Sequence, residues 1–374
     1  MSKINLAVIC GGRSVEHEVS LISAKNILAA VDQDKYNLHL LAVAKDGAFR
    51  YYSDWQNFLD NPEDPSQVTL KTSGFVSVAW LAGDERGQAL LLGSEQKVLN
   101  FEVVFPIMHG TFAEDGKMQG FLEMLDLPYV GPDVLASSVS MDKQFTKQLV
   151  ERVGVRVAKY LTYTASERAA IDFTTVQAEL GLPVFVKPAN SGSSVGINRA
   201  TDEASFTTAL EQAFSVDHKV LIEEAVVGRE IECSVLGNHG QLQAGEVGEI
   251  IPSSKHGFYS YDAKYIDAEG AALLIPAELS PAKKQEVQKL SKQIFATLGC
   301  EGMARVDFFL NQKDEVVFNE INTIPGFTKI SMYPKLMMAE TGLSYSALID
   351  RLLELALERH QRNSALLLEK KMVE

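Results

Sequence analysis

Two carboxylates and an amide that could hold a metal ion lie in one segment of the chain, residues 303–326, which reads MARVDFFLNQKDEVVFNEINTIPG. The segment predicts two antiparallel strands joined by a four-residue turn at 312–315, with Asn311 paired with Val316. Counting outward from that pair places four polar residues on one face of the hairpin, because side chains alternate between the two faces of a strand. These residues are Asp307 opposite Glu320 and Arg305 opposite Asn322.

The facing acids allow two interpretations. Two carboxylates repel each other at neutral pH unless a cation lies between them. Asp307, Glu320 and Asn322 carry the oxygen ligands that Mg²⁺ uses, typically together with substrate phosphates. Alternatively, Arg305 neutralises both acids, and the four residues form a structural network. The residues alone leave both interpretations open.

A second polar segment, VFVKPANSGSSVGIN at 184–198, places Lys187 at the end of a predicted strand and follows it with small residues. Its loop offers several backbone N–H donors that could hold a phosphate, but an ordinary hairpin loop with a solvated lysine fits equally well. The segment is not a Walker A loop, in which the lysine follows the glycines. Lys143 in SMDK and Lys264 in YDAKY could meet the same polyanion, although each one alone is more typical of a solvated side chain.

Acidic residues follow the next predicted strand, in KVLIEEAVVGREIECSVLG at 219–237. The strand ends in Glu223 and Glu224, and Glu230 comes after a glycine turn. A strand edge of this type could present acceptors to an adenine amino group and to ribose hydroxyls. By composition it could equally be a rim that faces solvent.

The elements that carry these residues follow an α/β pattern. INLAVICGG, YNLHLLAVAK and FEVVFPIMHG predict strands, and residues 15–31 predict an amphipathic helix. We therefore expect a parallel sheet with flanking helices over about the first 130 residues. A helix follows SMDK and ends at Gly154, and another is predicted over 281–298, after a long loop at 250–271.

Length and composition bound the class of protein. The 374 residues predict two or three domains, and no apolar run approaches the roughly 18 residues that span a bilayer. The net charge of −14 opposes non-specific binding to nucleic acid, which needs a basic surface. Cys10, Cys233 and Cys300 are widely spaced and predict buried free thiols in a reducing cytoplasm. We therefore expect a cytoplasmic protein with neither a nucleic-acid nor a membrane partner.

Seven motifs, in their order along the chain, resemble the D-alanine:D-alanine ligases of the ATP-grasp superfamily. They are GGRSVEHEVSL, HGTFAEDGKMQG, YVGPDVLASSVSMDK, FVKPANSGSSVG, FYSYDAKY, MARVDFF and NEINTIPGFTKISMYP. The resemblance implies an α/β fold (α+β overall) of the ATP-grasp type. Its parts would be an N-terminal Rossmann-like parallel-sheet domain at 1–140, a small central β-rich domain with the phosphate loop at 141–218, and a C-terminal antiparallel-sheet domain with the metal site at 219–374.

The same resemblance implies that the chain binds ATP, and that Asp307, Glu320 and Asn322 hold two Mg²⁺ ions, for which Mn²⁺ could substitute. The long loop with Lys264, which would reach the γ-phosphate, and Tyr265 is the expected lid. The residues expected to form the nucleotide site are Lys143, Lys187, Ser193, Ser194, Glu223, Glu224, Glu230, Tyr259 and Lys264.

For the amino acids, the resemblance implies that Glu16, helped by His109, binds the ammonium group of a first D-alanine. Ser331 and the turn at Gly326 would receive a second D-alanine. ATP would convert the first carboxylate into an acyl phosphate, which the second amine would attack. Arg305 and the backbone N–H of Gly326 are the expected donors to the resulting oxyanion.

The remaining expectations concern the lid and the product. Ser193 would link the lid residue Tyr265 to Glu16, and the presence of Tyr265 predicts a dipeptide product, with D-lactate or D-serine as the alternative acceptor. Ala113 stands where the family usually has glycine, and His17 replaces the arginine of some members. The resemblance further implies a homodimer that supplies D-alanyl-D-alanine for peptidoglycan precursors.

Overall fold

The N-terminal part of the protein is built on a seven-stranded sheet. The computed structural model describes residues 3–83, 86–252 and 271–371. The strands of this part are β1 (Ile4–Gly11), β2 (Tyr36–Val43), β3 (Phe49–Tyr52), β4 (Leu59–Asp60), β5 (Thr69–Leu70), β6 (Val76–Leu81), β7 (Gln88–Leu91), β8 (Lys97–Asn100) and β9 (Val103–Pro106). The order in the large sheet is β8-β7-β6-β3-β2-β1-β9, and β4 and β5 form a separate ribbon. A short 3₁₀ helix, Trp55–Asn57, precedes β4.

The large sheet is mixed. β1 runs parallel to β2 and β9, as the alternation of strands and helices predicts. β3, β6, β7 and β8 extend the sheet in antiparallel pairs. The connection explains the direction of β3, since the turn between β2 and β3 is closed by a hydrogen bond from the Ala44 N–H to the Ala48 carbonyl. A turn this short can join only antiparallel strands.

A glycine turn after β1 leads directly into helix α1 (His17–Ala30). Gly11 and Gly12 have φ angles of +85° and +105°, a region that favours glycine, and a Cβ on Gly11 would lie 2.3 Å from the carbonyl oxygen of Val43. Helix α1 lies within the predicted range 15–31, and Glu16 immediately precedes it. Helices α2 (Lys117–Met124) and α3 (Val134–Met141) complete this part.

The central part is a four-stranded antiparallel sheet. Helix α4 (Lys143–Arg152) leads into it and ends before Gly154, as predicted. The strands are β10 (Tyr160–Thr164), β11 (Val184–Pro188), β12 (Asn198–Ala200) and β13 (Lys219–Glu224), in the order β10-β13-β11-β12. A 3₁₀ helix (Ala165–Ala170) follows β10, and helices α5 (Phe173–Leu180) and α6 (Glu203–Val216) cover the sheet. Because β13 pairs with β10 and β11, this sheet continues past position 218.

The C-terminal part is a five-stranded antiparallel sheet. Its strands are β14 (Gly228–Gly237), β15 (Gln243–Pro252), β16 (Ala271–Leu274), β17 (Gly302–Asn311) and β18 (Val316–Asn322), in the order β16-β15-β14-β17-β18. The helices are α7 (Pro281–Thr297), α8 (Met332–Thr341) and α9 (Tyr345–Lys371). None of the helices within the described ranges is long and apolar enough to cross a membrane.

The hairpin of β17 and β18 contains a bulge. Next to the turn, Val316 pairs with Leu310, so the predicted pairing of Val316 with Asn311 is wrong by one residue. The turn takes five residues because the side chain of Asn311 closes it, accepting hydrogen bonds from the N–H groups of Lys313 and Glu315. An extra residue in β18, Asn319, then shifts the register back. Beyond the bulge the predicted pairs are confirmed: Asp307 with Glu320 and Arg305 with Asn322.

The first sheet and the last helices share one hydrophobic core. Leu6 of β1 and Phe105 of β9 belong to the same buried cluster as Phe327 and as Leu352 of α9. The rings of Phe105 and Phe327 lie 5.6 Å apart. The C-terminal end of the chain is therefore packed against the N-terminal sheet.

A buried arginine extends this connection. Arg359 of α9 is 5% exposed, and its guanidinium donates hydrogen bonds to the carbonyl oxygens of Tyr129, at 2.8 Å, and Gly131. The same group stacks over the Tyr129 ring. Because a guanidinium has several donors in a fixed plane, it can satisfy both carbonyls at once.

Candidate active site

A cavity of about 540 Å³ lies between the central and C-terminal sheets. Strands β11 and β13 line one side, and β14, β17 and β18 line the other. Asp307 and Glu320 border this cavity, so two of the three predicted metal ligands face the same space as several predicted nucleotide residues, and Asn322 lines a smaller pocket beside it. The nucleotide residues in the lining of the cavity are Lys187, Ser194, Glu223, Glu224 and Glu230.

Glu223 binds two lysines in this cavity. Its carboxylate accepts a hydrogen bond from Lys187 and lies 3.0 Å from Nζ of Lys147. Burial alone would raise the pKa of Glu223, but the two lysines outweigh burial and lower it to about 2. Burial in turn lowers the pKa of Lys147. Sequence reasoning missed Lys147, although its position four residues after Lys143 places both lysines on one face of α4.

Lys143 and Glu224 have partners at the edges of the cavity. Lys143 donates to the Ser191 carbonyl at 2.6 Å, and its Nζ lies 3.6 Å from Oε2 of Glu320. It therefore joins the loop after β11 to the predicted metal face. Glu224 accepts a hydrogen bond of 2.9 Å from the N–H of Lys159, which ties the start of β10 to the end of β13.

The polar face of the β17–β18 hairpin is a dense hydrogen-bonded cluster. Arg305 binds Asp307 through two hydrogen bonds of 2.8 Å and lies 3.0 Å from Glu232. Asn322 donates its Nδ2–H to Asp307 at 2.9 Å. The guanidinium thus neutralises Asp307, as the structural-network interpretation predicts for one of the two acids.

The donor set on this face nevertheless suits a hard divalent cation. Asp307 and Glu320 supply carboxylates and Asn322 an amide oxygen, which are the ligand types of Mg²⁺. Across the described part of the chain, no three His, Cys, Asp or Glu side chains group as metal ligands. The amide of Asn322 is therefore needed to complete the set.

A smaller pocket adjoins the cavity, and Glu232 and Ile250 line both. The smaller pocket brings together distant segments that were predicted to bind the amino acids and to stabilise the oxyanion. These residues are Glu16, His109, Ser193, Arg305, Gly326 and Ser331. Three other expected site residues, Tyr259, Lys264 and Tyr265, lie outside the residues that the structure describes.

Glu16 is held between two glycines from different segments. Its carboxylate accepts a hydrogen bond from Ser193, so this expected contact is present. A Cβ on Gly110 or on Gly192 would lie 2.3 or 2.6 Å from Oε2 of Glu16. Ser193 has a φ of +49°, a conformation that residues other than glycine adopt infrequently. The loop after β11 therefore closes tightly over Glu16.

His109 is a neutral imidazole with partners on both nitrogens. Nδ1 lies 2.9 Å from the Ile324 carbonyl and therefore carries the proton, and Nε2 accepts from the Ser23 hydroxyl at 3.2 Å. Burial lowers the pKa of His109 to about 4. Because an ammonium group needs an acceptor, these partners favour a role for His109 in supporting the Ile324 segment over direct contact with ammonium.

Glu114, which sequence reasoning missed, ties the two sides of the smaller pocket together. Its carboxylate accepts hydrogen bonds from the N–H of Gly110 at 2.8 Å and from the N–H of Ile324 at 2.9 Å. Burial, reinforced by the negative charge of Glu16, raises the pKa of Glu114 to about 8. Glu114 could have been identified from the sequence by its place in the motif HGTFAEDG, five residues after His109.

Gly326 and Ser331 lie against each other at the start of α8. A Cβ on Gly326 would lie 2.7 Å from Oγ of Ser331, which accepts a hydrogen bond from the Thr328 N–H at 2.9 Å. Ser331 immediately precedes α8. Since the N-terminus of a helix attracts anions, this corner suits a carboxylate.

The sheets and pockets together define the class of protein. Two antiparallel sheets that enclose a charged cavity, joined to an N-terminal mixed sheet, form the ATP-grasp fold. Models for the D-ala D-ala ligase N-terminus and C-terminus match residues 5–132 and 149–354. The chain therefore belongs to the D-alanine–D-alanine ligase family.

Similar proteins cover nearly the whole chain. A D-alanine–D-alanine ligase of Shouchella clausii is 50% identical over 98% of this chain and 98% of its own length. D-alanine–D-alanine ligase A of Escherichia coli K12 is 48% identical over 98% and 99%. The solved D-alanine–D-alanine ligase from Coxiella burnetii has a TM-score of 0.86 at 34% identity, covering 100% of this chain and 99% of its own. The VanG D-Ala:D-Ser ligase from Enterococcus faecalis has a TM-score of 0.81 at 33% identity, covering 95% and 100%.

Proposed function

We propose that this protein joins two D-alanine molecules into D-alanyl-D-alanine while ATP is converted to ADP and phosphate. The observation that carries the proposal is the adjacency of the two pockets. The charged cavity suits a nucleoside triphosphate, and it shares Glu232 and Ile250 with a smaller polar pocket whose carboxylate, guanidinium and hydroxyl groups suit the charged ends of an amino acid. Full-length similarity to proteins named D-alanine–D-alanine ligase supports the choice of substrate.

The first step activates a carboxylate, whose oxygen is otherwise a poor leaving group. A carboxylate oxygen of the first D-alanine attacks the γ-phosphorus of ATP, which gives D-alanyl phosphate and ADP. Lys143 and Lys187 would neutralise phosphoryl charge. Asp307, Glu320 and Asn322 would hold two Mg²⁺ ions. When bound, these ions would neutralise more of the phosphoryl charge.

The second step forms the peptide bond. The neutral amine of the second D-alanine attacks the acyl carbon, and the tetrahedral oxyanion then expels phosphate, with the proton lost from the amine nitrogen leaving on the phosphate. Glu16 would hold the ammonium group of the first D-alanine, and Arg305 and the Gly326 N–H would donate to the oxyanion. Ser331 and the start of α8 would hold the carboxylate of the second substrate.

ADP release tests the substrate assignment. With D-alanine as the only amino acid, we expect ADP formation and a product with the mass of the dipeptide. ADP formation that requires added D-serine or D-lactate would favour the other acceptor. No ADP formation under any of these conditions would contradict the proposed activity.

The metal assignment has its own test in Glu320→Ala. We expect turnover to fall roughly 100-fold or more, because the Mg²⁺ that would neutralise phosphoryl charge loses one of its protein ligands. The fold should be retained, because Glu320 points to the site and not to the core. Glu315→Ala, in the turn of the same hairpin, serves as the matched control. Near-normal activity of Glu320→Ala would contradict the metal assignment.

We further propose that the protein works as a homodimer in the cytoplasm and supplies D-alanyl-D-alanine for peptidoglycan precursors. The three buried free thiols, Cys10, Cys233 and Cys300, support a reducing compartment. Light scattering of the purified protein tests the dimer, and the mass of a single chain at micromolar concentration would contradict it.

A further inference from the structure

The nucleotide cavity contains one buried carboxylate with two cations. Glu223 is 3% exposed, and both of its oxygens face lysines, Oε2 towards Lys187 and Oε1 towards Lys147. A single ammonium group could neutralise this carboxylate. Among the residues that the structure describes, charge balance at Glu223 therefore does not explain the second cation.

The two lysines differ in their surroundings. The Lys147 side chain is 1% exposed, projects from α4, and lies with its Nζ 5.9 Å from the centroid of the Phe318 ring. The Lys187 side chain is 10% exposed, lies at the end of β11 before the glycine-rich loop, and has the Asn319 side chain 3.4 Å away. Lys147 is thus fixed in the protein, whereas Lys187 borders the space that a ligand would enter.

A phosphate that binds Lys187 must compete with Glu223 for its ammonium group. If Lys187 were the sole counter-ion, this exchange would leave a buried carboxylate without a cation, which is strongly unfavourable. Lys147 removes that obstacle, because Glu223 keeps one ion pair after Lys187 has moved.

We propose that Lys147 is a positioning residue for the nucleotide: it stays bound to Glu223 while Lys187 exchanges that carboxylate for a phosphate of ATP. The inference rests on the proposed use of ATP. It assigns Lys147 no contact with the reacting atoms, so its effect belongs to nucleotide binding and not to the chemical steps.

The test is the steady-state kinetics of Lys147→Met. We expect the KM for ATP to rise about 10- to 100-fold, because one member of a buried charge pair is lost. The kcat value and the KM for D-alanine should change less than about threefold. Lys147→Arg, which keeps the charge, should restore most of the affinity. Lys283→Met, which removes an ion-paired lysine at the start of α7, is the control and should leave the KM for ATP unchanged.

A double-mutant cycle separates positioning from simple stabilisation. In Glu223→Gln there is no carboxylate for Lys147 to neutralise, so adding Lys147→Met should raise the KM for ATP by less than about twofold. If the increases in the KM for ATP of the two single variants multiply in the double variant, the proposal is overturned. It is also overturned if Lys147→Met lowers the melting temperature but leaves the KM for ATP unchanged. Should Lys147→Met fail to fold, Lys147→Gln is measured against the same criteria.

The same variants distinguish this inference from the proposed activity. Binding of a non-hydrolysable ATP analogue, measured by calorimetry, reports on Lys147 without turnover. If the unaltered protein binds the analogue but releases no ADP with D-alanine, the ligase proposal fails. The Lys147 prediction is then still tested by comparing the affinity of Lys147→Met for the analogue with that of the unaltered protein. If the unaltered protein does not bind the analogue, both proposals fail.

Discussion

At the residue scale, the buried side chain of His109 makes the free energy of unfolding depend on pH. A histidine in the unfolded chain takes up a proton near pH 6.5, whereas burial lowers the pKa of His109 in the folded protein to about 4. Between these two values the unfolded chain binds more protons than the folded one. The free energy of unfolding therefore falls as the pH falls from 6.5 to 4, and above pH 6.5 this contribution is constant.

We predict that His109→Asn weakens this acid dependence. The asparagine amide can still donate to the Ile324 carbonyl but does not titrate, so the loss of stability between pH 6.5 and 4 should shrink by about 3 kcal/mol. Urea unfolding at pH 4, 5, 6.5 and 8 measures the difference. His239→Asn removes a histidine whose side chain is 59% exposed and should leave the slope unchanged. Equal slopes in His109→Asn and the unaltered protein would rule out a buried neutral His109.

Single residues were predictable where they belong to a motif with its own chemistry. Arg305 and Asp307 were identified because acids and a base alternate along a strand, and the structure brings them into contact. Lys147 and Glu114 lie in or beside recognisable motifs, but the contacts that define their roles are with partners far away in the chain. For Glu114 that partner is the N–H of Ile324, 210 residues away, and no local pattern encodes such a distance.

At the element scale, the β17–β18 hairpin shows how a correct prediction can rest on an incorrect turn. The predictions of a four-residue turn and of a regular ladder without a bulge were both wrong. The two errors each shift the register by one residue, in opposite directions, so the pairs beyond the bulge were still predicted correctly. The side chain of Asn311 adds one residue to the turn, and Asn319 adds one residue to β18. Turn closure by a side chain and a bulge are both local packing choices, and the alternation of polar and apolar residues does not distinguish them from the regular arrangement.

This arrangement predicts that deletion of Asn319 is tolerated. Residues on both sides of the bulge already face the correct way, so without Asn319 the ladder can continue from Phe318 directly to Glu320. We expect a folded protein that still turns over and has a higher KM for ATP, because Lys187 loses the Asn319 side chain. Thermal unfolding and ADP release measure both effects.

The matched control is deletion of Val317, which would turn Phe318 out of the core. Phe318 is buried against Phe308, so this deletion should cost about 3–5 kcal/mol of stability. If the two deletions destabilise the protein equally, the assignment of Asn319 as the extra residue is wrong.

The loop after β11 gives a second prediction at this scale. In Gly192→Ala the new methyl group would lie 2.6 Å from Oε2 of Glu16, so either the loop or Glu16 must move. We expect the KM for D-alanine to rise about 10-fold or more at saturating ATP, with little change in melting temperature. Gly83→Ala, at a glycine with nothing within 4 Å of the added Cβ, should behave like the unaltered protein. An unchanged KM for D-alanine in Gly192→Ala would show that the close contact does not position Glu16.

At the scale of the whole molecule, the first and last parts of the chain share one hydrophobic core. Leu6 and Phe105 of the N-terminal sheet are buried together with Leu352 of α9. The sequence predicted strands β1, β2 and β9 of the first sheet and helix α1 beside them. It could not predict that α9 packs on this sheet, because an amphipathic helix does not specify which apolar surface it covers.

Arg359 tests this long-range connection. Arg359→Lys keeps the positive charge, but an ammonium group cannot reach both the Tyr129 and Gly131 carbonyls in the same plane. We expect the free energy of unfolding in urea to fall by about 1–3 kcal/mol. Arg351→Lys, on the more exposed side of the same helix, should change it by less than about 0.5 kcal/mol. A single transition is expected in each case, and an unaffected Arg359→Lys would mean that the guanidinium does not hold α9 in place.

The shared core also bears on how the chain folds during its synthesis. The ribosome makes β1 first and α9 last, and at about 5–20 residues per second roughly 20 to 70 s separate the two. During that interval the face of the first sheet that α9 will cover has no partner. A chain whose translation stops before Tyr345 therefore carries an exposed apolar surface, and such nascent or truncated chains are the forms that aggregate or bind chaperones.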